Sequence, residues 1–457
     1  MVKSLAGPTD MTKGTPWKCI LQFTLPMLIG NIAQQLYSTV DSIVVGRFVN
    51  DDALAAVGSS MPLLNMILVL FIGISAGASI MVSQYFGAKD RERVSYTVGN
   101  CITVTLICCV GLILLAMPFI DDVLLILNTP ESIRGWCEDY LMISLLGVAG
   151  MAFYNILSGI IRGLGDSFSA LVYLIIATVI NIGLDLFFVI GLDMEVAGVA
   201  LATVIAQAIS SALCLIKLAR MKEYFDFGFK YMKPVGTYVK TLIKLGLPSG
   251  LTQAIIASAM ITVQSLTNCF GEKFIAANVV IMRVDGFAMM PNFSFGMALT
   301  TYAGQNVGAG LYDRVSKGAK QGTLIAVGTS ATITVIILLF GKYLMGMFTE
   351  TQALVDLSYE LMKILAVGYI AMAVTQSLSG IMRGAGDTLT PMWISLITTV
   401  AFRVPLAYGI SYLTRTPELP FGQQECIQIS LLCSWIMGAI LTALFFARGK
   451  WKTKALK

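Results

Sequence analysis

Five polar residues inside one otherwise apolar run, NIAQQLYSTVD, raise the first chemical question. Asn31, Gln34, Tyr37, Ser38 and Asp41 recur at steps of three or four, which places them in one stripe along a helix. Pro26, upstream in the same run, is positioned to kink or loosen that helix and act as a hinge. Further along, Asn181 and Asp185 stand four apart in NIGLD and share a helix face. Thr203 sits in GVALATVIAQ, whose small residues permit close helix approach. Two carboxylates, an amide oxygen and a hydroxyl are hard oxygen ligands. Brought together, Asp41, Asn181, Asp185 and Thr203 would coordinate Na+ or hold one shared proton, since two neighbouring acids resist double ionisation in a low dielectric. The alternative is that both acids lie near the outer ends of their spans, wetted and without a role.

The elements that must position these residues follow from composition. Of 457 residues, 56% are hydrophobic and only 12% charged, about half the charge of an ordinary soluble domain. Runs such as 95–118, 169–192, 196–218 and 322–344 are long enough to cross a hydrocarbon core. Cutting at charged or Gly/Pro-rich joints gives twelve spans: 17–46, 54–86, 95–118, 136–161, 169–192, 196–219, 240–270, 275–304, 318–341, 355–382, 391–413 and 426–447. Lys and Arg collect on one set of joints, among them Lys89, Arg91, Arg93, Lys222, Lys233, Arg314 and the tail from Arg448, whereas the other set collects Asp51, Asp121, Asp193 and Glu418. The positive-inside rule then puts both termini in the cytoplasm. No cleaved signal peptide is expected, because the polar start MVKSLAGPTDMTKGTPWK lacks a short apolar core with a cleavage site.

The chain repeats itself. LSGIIRGLGDSFSA begins at Leu157 and LSGIMRGAGDTLTP at Leu378, 221 positions later (378 − 157). At the same offset Gln84, Gly87, Ala88 and Arg93 match Gln305, Gly308, Ala309 and Arg314. The expected organisation is a six-helix bundle over 1–219, a basic cytoplasmic connector over 220–239 and a second six-helix bundle over 240–457 with a short basic tail. Six is even, so both copies enter the membrane from one side and are parallel repeats. Within the doubled corner, the glycines are expected to allow a tight turn, and Asp166 and Asp387 to cap the following helix.

Other classes are disfavoured. The chain has no histidine, which rules out a Ser-His-Asp triad or an HExxH zinc site, so no enzyme and no cofactor are expected. The nine cysteines form no CxxC pair and read as small buried hydrophobes. The net charge of +5 is accounted for by loops and tail facing anionic lipid, with no nucleic-acid partner implied. In the second half, Arg283, Asp285 and Arg403 are the deep charges, and an Asp285–Arg403 pair across helices is expected to neutralise them structurally. Among the 24 methionines, Met289 and Met290 beside Asp285 are candidates to line an adaptable cleft.

Two six-span halves, the Pro26 to Asp41 stripe, the segment from Asp41 to Arg47, the doubled RGxGD corners and the Gln-x-x-Gly-Ala motif together resemble the multidrug and toxic compound extrusion (MATE) family, most closely its prokaryotic DNA-damage-inducible-type branch. The likeness covers essentially the whole chain. It implies an all-α, V-shaped polytopic membrane protein of twelve helices that exports cationic or amphipathic drugs across the cell membrane by alternating access, driven by inward H+ or Na+, as a monomer. It further implies an ion site at Asp41, Asn181, Asp185 and Thr203, with Pro26, Gln34, Tyr37 and Asn155 nearby. Other members carry a glutamate on the seventh span and an aspartate on the tenth. Here those spans offer only Gln253, Gln264 and Gln376, and Val263 stands near the repeat equivalent of Asp41, so coupling is expected in the N-terminal half alone. A lipid-linked saccharide flippase of related architecture is the alternative within transporters, and a channel or receptor the alternative from another class.

Overall fold

A computed structural model describes residues 7–126 and 129–456, without the side chains of residues 37, 38, 40–43, 46, 47, 51 and 54. Every regular element among the described residues is helical. Besides short helical pieces at Met117–Phe119, Ile120–Ile126, Phe229–Met232 and Lys450–Thr453, they are in order α1 (Pro16–Phe48), α2 (Asp51–Gly87), α3 (Arg91–Ala116), α4 (Glu131–Leu146), α5 (Val148–Gly163), α6 (Ser167–Leu186), α7 (Glu195–Arg220), α8 (Gly236–Asn268), α9 (Glu272–Gly308), α10 (Tyr312–Gly346), α11 (Gln352–Ala366), α12 (Gly368–Gly384), α13 (Leu389–Ser395), α14 (Val404–Leu413) and α15 (Cys426–Ala447). Turns of π type extend α6 through Phe187–Gly191 and join α13 to α14 through Leu396–Arg403.

Nine helices among the described residues are long and apolar enough to cross a membrane, and eleven if the bent pairs α4–α5 and α11–α12 each count as one span. The continuous α1, 33 residues long, stands in addition to these. Large side chains that point away from the packed interior are apolar, as at Leu114, Leu115, Leu339 and Leu444, which suits contact with lipid tails. The chain is thus an all-α polytopic membrane protein.

The fourth and tenth spans, expected as continuous runs, are each broken: α4 and α5 meet at 50° around Gly147, and α11 and α12 at 45° beside Gly368. These glycines are repeat equivalents (147 + 221 = 368). A Cβ on Gly147 would collide with Val204 of α7, and one on Gly368 with the Trp435 ring of α15. Each bend therefore sits where a side chain of the neighbouring helix occupies the space a Cβ would need.

Two compact units form. One holds Leu25–Gly250 with the segment ending at Asp10; the other holds Met11–Thr24 and Leu251–Lys457. These boundaries part from the sequence halves at two helices: α1 changes unit one residue before Pro26, and α8 changes unit two residues after Pro248. In the first unit, Val57, Leu64, Cys137, Tyr140, Val196 and Val199 form a core between α2, α4 and α7. In the second, Phe274, Ile281, Leu361, Tyr369, Ile427 and Trp435 do the same for α9, α11, α12 and α15.

Each unit also clasps the chain segment leading into one of the helices that change unit. In the first unit, Asn100 Oδ1 on α3 accepts the Val235 N–H at 2.7 Å, immediately before α8, and Thr103 donates to the Met232 carbonyl at 2.6 Å. Arg91 binds Asp226 and donates to the carbonyl of Lys222, both at 2.6 Å. In the second unit, Gln321 of α10, the repeat equivalent of Asn100 (100 + 221), accepts the Trp17 N–H of α1 at 3.1 Å. Gln305 accepts the Met11 N–H at 2.8 Å, and Arg314 donates to the carbonyls of Lys13 and Gly14 at 2.6 and 2.7 Å. The repeated Gln and Arg positions thus include anchors for an incoming strap.

Candidate functional site

The doubled corner ends α5 and α12. Gly165 and Gly386 take positive φ (88° and 96°), where a side chain would strain the turn. Asp166 then accepts the Ser169 N–H at 2.9 Å and its hydroxyl at 2.7 Å, and Asp387 accepts those of Thr390 at 3.2 and 2.8 Å. Asp166 alone gains a cation, Lys217 at 3.4 Å. These acids build the turn and cap α6 and α13, which fixes where α6 enters the bundle.

On α6, Asn181 and Asp185 are one turn apart and both completely buried. Asn181 Nδ2 faces Thr203 Oγ1 of α7 at 3.4 Å, with Thr203 only 9% exposed. Two of the expected ligands therefore meet where α6 and α7 pack, and the third, Asp185, is buried one turn along α6. Gly30 brings α1 against Leu171 and Leu174 of the same α6. Tyr37 and Asp41 fall on α1, but their side chains lie outside the described residues. Gln34 is exposed. Asn155 lies on α5: its side-chain amide donates to the Met151 carbonyl at 2.8 Å, and its backbone carbonyl accepts the Ser75 hydroxyl of α2 at 2.7 Å.

The second unit contains a cavity of about 440 Å³ between α8, α9, α12, the π-type segment and α15. Its walls are mainly apolar, with Met260, Met282, Met289, Phe293, Met372 and Trp435 among them. Met289 thus lines a cavity, whereas Met290 is buried without lining it. Arg283 is exposed on α9. Asp285 and Arg403 both line the cavity, yet the expected ion pair is not made: no bond shorter than the 4.0 Å ion-pair limit joins them. Asp285 instead accepts the Tyr369 hydroxyl of α12 at 2.9 Å. Arg403 is 8% exposed and its Nε has no hydrogen-bond partner. Sequence spacing placed the two charges on the eighth and eleventh spans, but the distance across the gap depends on how the helices separate around the cavity.

Two features of this cavity were not foreseen. Gln428 of α15, 1% exposed, donates to Asn278 at 3.3 Å while its Oε1 has no partner. An unpartnered buried donor or acceptor costs about 1–3 kcal/mol, so two beside one cavity are not incidental packing. Arg403 itself ends the stretch of π-type turns just ahead of Pro405, whose missing N–H relieves the ladder and permits the looser winding. The Arg-Val-Pro sequence was the available signal for the second feature. A glutamine early in an apolar span was the signal for the first. Among the described residues, no group of three or more His, Cys, Asp or Glu is placed to hold a metal ion.

A duplicated helical membrane protein with buried polar residues inside its spans has the architecture of a secondary transporter. The MatE family model matches residues 26–187 and 248–409, two equal stretches that each begin at the proline of a helix that changes unit, and the chain belongs to this family. It is 29% identical over 430 residues to the probable multidrug resistance protein YoeA of Bacillus subtilis, covering 92% of this chain and 93% of that protein. It is 25% identical to the probable multidrug resistance protein NorM of Thermotoga maritima, covering 96% and 94%. Among solved structures, that of MATE in complex with MaL6 matches with a TM-score of 0.90 at 23% identity, covering 96% of this chain and 97% of that one, a likeness of fold.

Proposed function

We propose that the protein is a cation-coupled multidrug efflux antiporter of the cell membrane, with both termini cytoplasmic, exporting cationic or amphipathic compounds by alternating access. The observation that carries this reading is a carboxylate buried inside a membrane span: Asp185 is fully enclosed one turn from Asn181 on α6, and Asn181 faces Thr203 of α7, and an ionisable residue at such depth marks a functional site. The multidrug resistance names of the relatives support the substrate class. H+ or Na+ entering from outside binds at Asp41, Asn181, Asp185 and Thr203, shifts α1 at Pro26, lowers the affinity for drug and favours its release; return to the inward state discharges the ion. Coupling resides in the first unit, since the second carries no equivalent of Asp41.

The test is drug efflux from proteoliposomes under a Na+ gradient alone and a pH gradient alone, with Asp41→Asn and Asp185→Asn beside the parent. One gradient is expected to drive export and both variants to abolish it. Export that persists at parental rate in both variants removes the assignment of the ion site.

A further inference from the structure

The basic connector carries a side chain that neither ion coupling nor packing accounts for. Phe229, which opens the short helix Phe229–Met232, is 88% exposed, more than any other large apolar side chain among the described residues. Its backbone is nevertheless held on both sides. Before it, Phe225 is buried and the Asp226 N–H donates to the Ser95 hydroxyl of α3 at 2.8 Å. After it, Asn100 of α3 donates to the Tyr231 carbonyl at 3.3 Å, and the Tyr231 ring meets that of Tyr96 edge-on at 5.0 Å. Tyr238 stacks on the same Tyr96 ring at 5.4 Å. The level at which Phe229 stands out is set by the helices it lies against. On α3, Thr103, which binds the Met232 carbonyl, is three residues short of the exposed Leu106, a rise of about 5 Å. On α8, the exposed Lys240 gives way to the exposed Ile243 and Leu247. Both helices thus change from polar to lipid-facing surface beside the connector, as they must where headgroups meet acyl chains.

We infer that the connector is a binding surface for anionic phospholipid, with the Phe229 ring among the upper acyl chains and Lys230, Lys233 and Lys240 on the headgroup phosphates. The three lysines are exposed and, among the described residues, none of them makes an ion pair. The nearby acid Asp226 is taken by Arg91 at 2.6 Å, which leaves the segment an excess of positive charge. A ring flanked by lysines fits the boundary of a charged leaflet: the ring buries apolar area and each ammonium gains from the negative surface. A neutral leaflet would receive the ring and leave the lysines without counter-charge. Because α3 already fixes the backbone, binding requires little further ordering. The inference goes beyond the export reading and needs neither a gradient nor a drug.

For the test, para-trifluoromethylphenylalanine replaces Phe229 in the full chain, which is placed in phosphatidylcholine nanodiscs. Fluorine relaxation is read with a gadolinium chelate in the water, or with a small, equal fraction of phosphatidylglycerol or phosphatidylcholine bearing a nitroxide on its upper acyl chain. The lipid nitroxides are expected to relax the label more than the chelate does. Labelled phosphatidylglycerol is expected to exceed labelled phosphatidylcholine about fivefold, the ratio that one lysine at an anionic surface supplies. Combining Lys230→Gln, Lys233→Gln and Lys240→Gln, all at exposed positions, is expected to abolish that ratio while the label stays in contact with lipid. The same label at Phe119, exposed beside Asp121 and Asp122, is expected to show no preference between the two lipids. Stronger relaxation by the chelate than by lipid, equal relaxation by the two lipids, a ratio that survives the triple variant, or the same ratio at Phe119 overturns the inference.

Discussion

The two units share a helical plan and differ in what they enclose. In the first, Asn181, Asp185 and Thr203 are buried, with Asn181 facing Thr203 where α6 meets α7. In the second, Asp285, Arg403 and Gln428 stand around an open cavity with polar atoms unpartnered. Duplication preserved the turns, caps and bends, which are backbone devices, while the side chains within the spans diverged freely. A closed polar group suits a bare ion, and a roomy one suits an organic molecule. On the proposed reading, one repeated frame serves the ion in its first copy and the organic molecule in its second.

Helix packing offers the largest effect with which to probe this shared frame. A Cβ on Gly380 would run into the backbone of Gly296, whereas one on Gly159 would meet mainly the Ser75 hydroxyl, which can turn away. Gly380→Ala is expected to destabilise by about 1–3 kcal/mol, as overpacking generally does, and Gly159→Ala by less. Thermal unfolding in detergent measures both, and adding Ser75→Ala should reduce the smaller loss further. Equal losses would mean that the two α-helical contacts yield alike.

The doubled corner gives an intermediate effect. Removing either cap with Asp166→Ala or Asp387→Ala should cost about 1 kcal/mol. The loss at Asp166 is expected to be greater because its buried carboxylate also holds Lys217. In a Lys217→Ala background the two corners should become equivalent. A difference that persists there would assign the asymmetry to the turn itself.

The straps give the smallest effect, one visible only through pH. Arg91 beside Asp226 holds that carboxyl below the ordinary carboxylate range. The contribution of the Asp226 carboxylate is complete above its unfolded-state value and is lost as pH falls through its lower folded value. The strap of the second unit is held by Arg314 through carbonyls, which do not titrate. The protection factors of the amides at residues 222–226, observed exchange relative to the intrinsic rate at each pH, should therefore fall on acidification while those at residues 11–17 stay level. A matching loss of protection in both would show that Asp226 is not what distinguishes them.

Much of the frame was readable from residue order. The repeat, the corner glycines and the capping aspartates are local features, and local geometry is what spacing encodes. The joints of the spans fell within a few residues of the helix ends because charge and glycine mark them. The breaks at Gly147 and Gly368 escaped notice, since an apolar run shows no interruption where a glycine merely lets a neighbour in. The site was legible only in part. Asn181, Asp185 and Thr203 could be grouped because two share a turn and the third lies on the adjoining helix. Asp285 and Arg403 could be named but not spaced, because their separation is set by helices that diverge around a void. Gln428 and Tyr369 acquire significance only once that void exists.

The strap at the start of the chain sets an order of events during biosynthesis. Met11 emerges among the first residues, yet its hydrogen-bond partner Gln305 follows 294 residues later. At ribosomal rates of 5–20 residues per second, that interval is roughly 15–60 s. Leu25–Gly250 is fully synthesised before Gln305 is reached, whereas Met11–Thr24 meets its partners only after α9 and the start of α10 have been made. The second unit is thus completed by a piece made before the body of the first, so the two units do not arise from two separate stretches of the growing chain.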